Sequence, residues 1–346
     1  MSNHPFRNRM KMFFLNRLAC RPHLASFYHL VKGTFDREHM AVLYGKLRQL
    51  DIRLDSPRDE HVFALRRCIH RLEKALTMTP RRPVFALDYI ENTVDLYTLF
   101  ATQISARREG DMLLVAWAGD VLHSCFQAMN SHPNIDRARV KFEETAKRIG
   151  YVPGSRRPYK RDLSPLRATY DDLLELAKRR RSVRSYLPKP VPRKLIDKAI
   201  EVALYSPSAC NRQSFEMRIY DDRELIMKIG KIPMGAREFY ERFPCLIVLL
   251  GLMRAFTGEQ DRHLVYIDAS LAAMAFQFAL EVQGISSCCI NWPDVPEREE
   301  MLAKVLNLEL DERPIMLMSA GYADPEGLVP YSQKSSLNDI RSYNKS

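Results

Sequence analysis

The chain has 346 residues, 46% of them hydrophobic and 27% charged, a composition that fits a folded globular protein and excludes a disordered or collagen-like one. Its longest apolar stretch, "CLIVLLGLM" at 245–253, is far short of the roughly 20 residues that a membrane-spanning helix needs, so it reads as a buried strand and no span is expected. Residues 1–162 hold 28 Lys and Arg against 17 Asp and Glu, whereas residues 163–346 hold 25 of each, so the whole net charge of +11 belongs to the first part.

The N-terminal stretch "MSNHPFRNRMKMFFLNRLACRPHLASF" is basic, and Arg, Lys and Asn interrupt it too often for the apolar core of a signal peptide. A cytoplasmic protein is expected. The charge asymmetry raises an acidic partner for this region, a nucleic acid or an anionic membrane surface, against the plainer reading of a solvated basic face. Residues 1–150 read as a mostly helical domain. In "HVFALRRCIHRLEKAL", Val62, Leu65, Ile69, Leu72 and Leu76 recur at spacings of three and four, and "DYIENTVDLYTLFATQI" repeats the pattern after a break at "PRRPV".

Residues 151–165, within "GYVPGSRRPYKRDLSP", collect Pro, Gly, Ser and basic residues without an apolar face and form a predicted linker. A second domain, 166–346, opens with the helix "TYDDLLELAKRRRSVRSY", where Thr169 is a candidate N-cap and Asp171 and Asp172 suit the first turn. Then come helix "RKLIDKAIEVALYS", strand "FEMRIYDD", strand "CLIVLLGLM" and the long helix "LVYIDASLAAMAFQFALEVQG", stopped by Gly284. "SSCCINW" and "RPIMLMSAGYAD" read as strands around the helix "PEREEMLAKVLN". The pattern predicts an α+β fold with one central sheet covered by helices. The long helix is apolar on nearly every side and is expected to be buried within the subunit or against a second copy.

Conventional catalytic patterns are absent. Seven cysteines without a CxxC pair argue against a zinc site, and no metal is expected. HExxH, GxSxG, GxxxxGK[ST] and GxGxxG are all missing, so an enzyme of this sequence would rely on a cofactor for its chemistry, with no catalytic side chain of its own.

Four short stretches carry what chemistry remains. "KRRRSVRSY" ends a helix in a guanidinium cluster followed by Ser182; Arg forks and a hydroxyl suit phosphate oxygens, though such residues also complement a helix C-terminus. "SPSACNRQ" breaks a helix at Pro207 and offers Ser208, Asn211 and Gln213, donors and acceptors for the edge of a heterocycle or for their own turn. "SSCCINWPD" runs a strand into Trp292, which either walls a planar ligand or plugs the core. "PYSQKSSLNDI" places a single Lys334 in a polar tail.

In order and spacing, these stretches resemble the flavin-binding motifs of the nitroreductase family over about Tyr170–Asn344. "RRS" at Arg180–Ser182, "SPSACNRQ" at Ser206–Gln213, "CCINW" at Cys288–Trp292 and "KSSLNDI" at Lys334–Ile340 carry the resemblance. It implies FMN as cofactor, with Arg180, Ser182 and Lys334 on its phosphate and Arg181 and Arg184 close by. Pro207, Ser208, Asn211 and Gln213 would meet the isoalloxazine or ribityl chain, and the backbone at Ile290 and Asn291 would face flavin N5. NAD(P)H would be the electron donor, a nitro compound or quinone the acceptor, the kinetics ping-pong, and the assembly a homodimer with the long helix at its centre. The resemblance also admits dehydrogenation of azolines, cleavage of flavin or removal of halogen on the same fold, and a flavin-binding interaction protein targeted by its basic domain. Ser214, Phe215 and Trp292 depart from the family pattern on the substrate side.

Overall fold

The computed structural model describes residue 18 and residues 21–50, 58–103 and 109–345. The basic stretch at 1–17 lies outside the described residues.

Among the described residues, six helices occupy the first half: α1 (Pro22–Lys32), α2 (Asp36–Leu50), α3 (Asp59–Thr77), α4 (Ile90–Thr102), α5 (Glu109–Ala128) and α6 (Pro133–Ile149). Helices α3 to α6 share one apolar core, in which Leu65, Ile69 and Leu72 of α3 meet Val94, Tyr97 and Phe100 of α4, with Ala118, Leu122 and Phe142 filling the remainder. This is the three-and-four spacing of the sequence turned into a buried stripe. Helix α2 packs elsewhere. Its Gly45 lies so close to the short 3-10 turn Met253–Ala255 that a Cβ would meet the Met253 carbonyl carbon at 2.6 Å, and only glycine allows that approach.

Residues 151–169 contain neither helix nor strand, yet their first part is held down. Asp120 of α5 accepts hydrogen bonds from the Tyr151 hydroxyl and from the backbone N–H groups of Gly154 and Arg156, and these donors hold its carboxyl below the usual range against its burial.

The second half begins with α7 (Tyr170–Arg179), whose Thr169 accepts from the Asp172 N–H while Asp172 answers with its side chain, a capping box. Next come α8 (Arg193–Ala203), β1 (Phe215–Tyr220), α9 (Arg223–Gly230), β2 (Cys245–Leu252), α10 (Leu264–Val282), β3 (Ser286–Asn291), α11 (Pro296–Leu306), β4 (Glu312–Gly321) and the single turn α12 (Leu337–Ile340). The four strands form one antiparallel sheet in the order β1-β2-β4-β3. The fold is α+β.

All eight residues of β2 are buried because helices cover both of its faces. Ile247 and Leu249 point to α8 and α10, and Leu246 and Val248 to α9 and α11. Helix α10 is long and apolar enough to cross a membrane by length and composition, but here one side of it packs along the sheet through Ala269, Ala272, Ala273 and Phe276. Ile267, Leu271 and Met274 of its other side are exposed. Within one chain the helix is thus buried along its sheet side and exposed along the other.

Ion pairs join the two halves. Arg48 of α2 binds Glu60 and reaches Asp311 at 3.1 Å, Lys46 meets Glu259 at 2.6 Å, and Arg37 donates to the Leu310 carbonyl at 2.8 Å. Within the helical region Arg137 pairs with Glu91 and Lys141 with Asp95. These contacts pair part of the basic charge of the first half with acids.

Candidate flavin site

The site residues fall in two groups at opposite ends of α10. At the C-terminal end, α7 stops at Arg180, whose N–H still bonds to the Leu176 carbonyl at 3.0 Å. The chain then runs beside β3: Ser182 forms a parallel bridge with Ser287, and the Val183 N–H donates to the Ser287 carbonyl at 3.1 Å. This register brings Arg180 and Ser182 alongside Cys288. Burial raises the pKa of that thiol, while the charges of Arg184 and Arg180 and the Ser182 hydroxyl act against the rise. Arg180 Nε is buried without a hydrogen-bond partner among the described residues. Arg184 sits 5.8 Å from the centre of the Phe239 ring and donates to the Ser182 carbonyl at 3.4 Å.

Arg181 is used differently. Its guanidinium donates to the Pro330 and Tyr331 carbonyls and so ties the C-terminal tail to this corner. Lys334 follows three residues later, exposed, and its ammonium has no partner among the described residues. β3 leads from Ser287 to Ile290, which is buried in the core, and to Asn291, exposed at its end and about 13 Å further along the strand.

The second group is the turn that follows α8. Pro207 is exposed and Ser208 opens a short 3-10 turn, Ala209–Asn211. The Ser208 hydroxyl accepts from the Gln213 N–H at 3.1 Å, and the Gln213 amide donates to the Asn211 side chain at 3.2 Å. Cys210, Asn211 and Gln213 all have left-handed backbones, with φ of 55°, 53° and 56°. Arg212 between them is only 6% exposed and lies 4.5 Å from the centre of the Phe256 ring. Burial lowers its pKa, and Arg67 of α3 lowers it further.

The sequence reading missed the residue that holds this turn. Asp268, 2% exposed on α10, accepts from the Ala209 N–H at 3.0 Å with one oxygen and from the Ser214 hydroxyl at 3.0 Å with the other. Burial raises its pKa, opposed by those two donors and by Arg212. A single acid in the apolar run "LVYIDASLAAMAF" was the available signal. Ser214, taken as a departure facing substrate, is fully buried on Asp268 instead.

Trp292 is a core plug. It is buried, and its indole N–H donates to Glu299 at 2.5 Å; Glu299 pairs with the fully buried Arg313 at 2.8 Å, and Arg313 with Asp294 at 2.6 Å. Beside this network a cavity of about 280 Å³ is lined by Phe35, Arg37 and Met40 from the first half and by Asp294, Pro296 and Glu299 from the second.

One chain does not bring its two groups together. The turn is tied to Asp268, and the corner lies near Gln277 and Glu281, where Arg179 pairs with Glu281 at 3.3 Å. From Asp268 to Gln277 the helix rises about 14 Å.

An antiparallel sheet between helix layers, with Arg180 and Arg184 beside the edge strand β3, defines an α+β domain. The Nitroreductase family matches this domain over residues 177–236 and 230–322. An NADH dehydrogenase/NAD(P)H nitroreductase of Methanothermobacter thermautotrophicus is 39% identical over 152 residues, 44% of this chain and 77% of that protein. The chain belongs to the nitroreductase family, a family of oxidoreductases, and its first half lies outside the matched segment. Iodotyrosine deiodinase 1 of Homo sapiens is 23% identical over 228 residues, covering 58% of this chain and 77% of its own. Among solved structures, an FMN-dependent nitroreductase of Clostridium difficile R20291 is 22% identical with a TM-score of 0.43, covering 50% of this chain and 99% of its own.

Proposed function

We propose that the chain binds FMN and uses NAD(P)H to reduce a small-molecule acceptor of the nitro or quinone type. The observation that carries this reading is Arg180 Nε, a buried donor without an acceptor among the described residues. An orphaned charged donor costs stability unless a ligand answers it, and a phosphate oxygen is the acceptor its geometry suits. Ser182 adds a hydroxyl, and the tail that Arg181 ties down adds the unpartnered ammonium of Lys334. The residues present fit the phosphate of FMN.

When bound, FMN supplies hydride acceptance at N5 and two-electron delivery to the acceptor. The protein supplies placement. Arg180 and Lys334 would neutralise the phosphate and Ser182 would donate to it, β3 leads from that corner to the backbone at Ile290 and Asn291, and Ser208, Asn211 and Gln213 would offer donors to the ring edge, where negative charge grows on reduction.

The proposal includes a homodimer in which each site takes its corner from one copy and its turn from the other. Ile267, Leu271 and Met274, at spacings of four and three on α10, form the exposed apolar stripe through which the copies would meet. The test is colour and content. The purified protein is expected to be yellow, to release FMN on denaturation and to oxidise NADPH or NADH with a quinone. A flavin-free protein that acquires none from added FMN would end this reading.

The similarity to iodotyrosine deiodinase extends over more of the chain than the nitroreductase match and favours a second reading, removal of iodine from an iodinated tyrosine. Turnover of iodotyrosine with no turnover of quinones or nitro compounds would select it.

A further inference from the structure

We infer that the N-terminal helices belong to the cofactor site, because α3 and Asp268 together hold the 206–214 turn in the shape that meets the flavin. The inference rests on the FMN reading above. It assigns Phe63 and Asp268 as positioning residues; neither is placed to touch the ligand.

The starting point is the backbone. Cys210, Asn211 and Gln213 are non-glycine residues in the left-handed region within four positions of one another. Side-chain sterics disfavour that region, and such conformations persist only where surrounding structure enforces them. The internal bonds of the turn, Gln213 N–H to Ser208 and the Gln213 amide to Asn211, move with it and anchor it to nothing outside.

Two external clamps supply the anchor. From the sheet side, the Asp268 carboxylate grips both ends of the turn, at Ala209 and Ser214, and so fixes the path of the four residues between them. From the outer side, α3 packs directly on Ala209–Asn211. Phe63 of α3 and Ala41 of α2 share an apolar cluster with Phe256, and Ala209 packs against that cluster. Arg212 is laid over the same Phe256 ring. Gly45 seats α2 on Met253 and Arg254, next to Phe256, so the clamp is continuous with the docking of the first half.

A ligand that binds through this turn must find it already formed, and loosening either clamp lowers affinity by the cost of reordering it. The phosphate corner, at the other end of α10, is untouched by that change. The two sources of affinity therefore separate with two ligands, FMN and riboflavin, which share the ring and ribityl chain and differ in the phosphate.

The experiment titrates the full-length, deflavinated protein with FMN and with riboflavin by quenching of flavin fluorescence, alongside hydrogen exchange of residues 206–214. Phe63→Ala and Asp268→Ala are each expected to weaken both ligands by the same factor, about tenfold, and to speed exchange in the turn. Phe63→Leu, which refills the cluster, and Asp268→Asn, whose amide can pair with both Ala209 N–H and the Ser214 hydroxyl, are expected to restore binding. Phe63→Ala removes apolar core volume whereas Asp268→Ala removes a buried carboxylate with its two hydrogen bonds, so the two variants perturb the turn by different means and Asp268→Ala is the independent arm. Folded alanine variants with wild-type affinity for both flavins and unchanged exchange would overturn the inference while leaving the FMN reading intact. A wild-type protein that binds neither flavin would overturn both.

Discussion

At the C-terminal end of α10, Arg180 keeps a buried donor and Lys334 an exposed ammonium, neither with a partner among the described residues, in a corner to which Arg181 ties the tail. At the N-terminal end the 206–214 turn is bound on two sides, by Asp268 and by the cluster around Phe256, and its cation Arg212 is covered by an aromatic ring. One region is chemically unfinished; the other is finished and strained. The difference teaches that a ligand site is built from two kinds of surface. Unsatisfied charge provides attraction, and over-determined backbone provides shape.

The most severe way to break the comparison is to keep the two regions from meeting across a dimer. Leu271→Asp places a charge in the exposed stripe of α10, and the expected result is a monomer by sedimentation velocity that retains neither FMN nor riboflavin. A monomeric variant that keeps its flavin would mean that one chain completes the site. Arg180→Ala acts on one region alone. Loss of a charge-assisted contact of about 2 kcal/mol weakens FMN about thirtyfold and leaves riboflavin unchanged.

How much of this was legible follows from the range of the interactions involved. Local signals were read correctly: Thr169 caps α7 with Asp172 three residues away, and the eight apolar residues of β2 form a strand covered on both faces. Pro207 and its polar neighbours marked a turn for the same reason. The function of Ser214 was misread because its partner, Asp268, is 54 residues distant. Trp292 left two readings open because Glu299, seven residues on, and Arg313, a further 14 on, decide between them only in three dimensions. The contact of α3 with the turn joins residues about 150 positions apart in different halves of the chain, and no periodicity encodes it.

Two smaller perturbations sharpen the account of the finished region. Gly45→Ala forces a Cβ against the backbone at Met253, and the expected loss is about 1–3 kcal/mol in urea unfolding, with faster exchange in the turn. Undiminished stability would show that α2 is not seated as described. The smallest effect concerns Asp268. Its carboxyl is raised above its unfolded value, so the folded state binds the proton more tightly, and stability is lost as pH rises from the unfolded pKa through the folded one. Asp268→Asn removes that loss. Compared with wild type, the variant is expected to gain stability between acidic and neutral pH in parallel urea titrations, and a pH-independent difference would remove the carboxyl from the explanation.

The most direct test of the central claim, a flavin phosphate held at Arg180, is the ratio of FMN to riboflavin affinity measured on deflavinated wild-type protein and on Arg180→Ala. The account predicts a strong preference for FMN in the wild type that falls by about thirtyfold in the variant, while riboflavin binding stays constant. Equal affinities in the wild type, or a preference that survives the loss of Arg180, would contradict it.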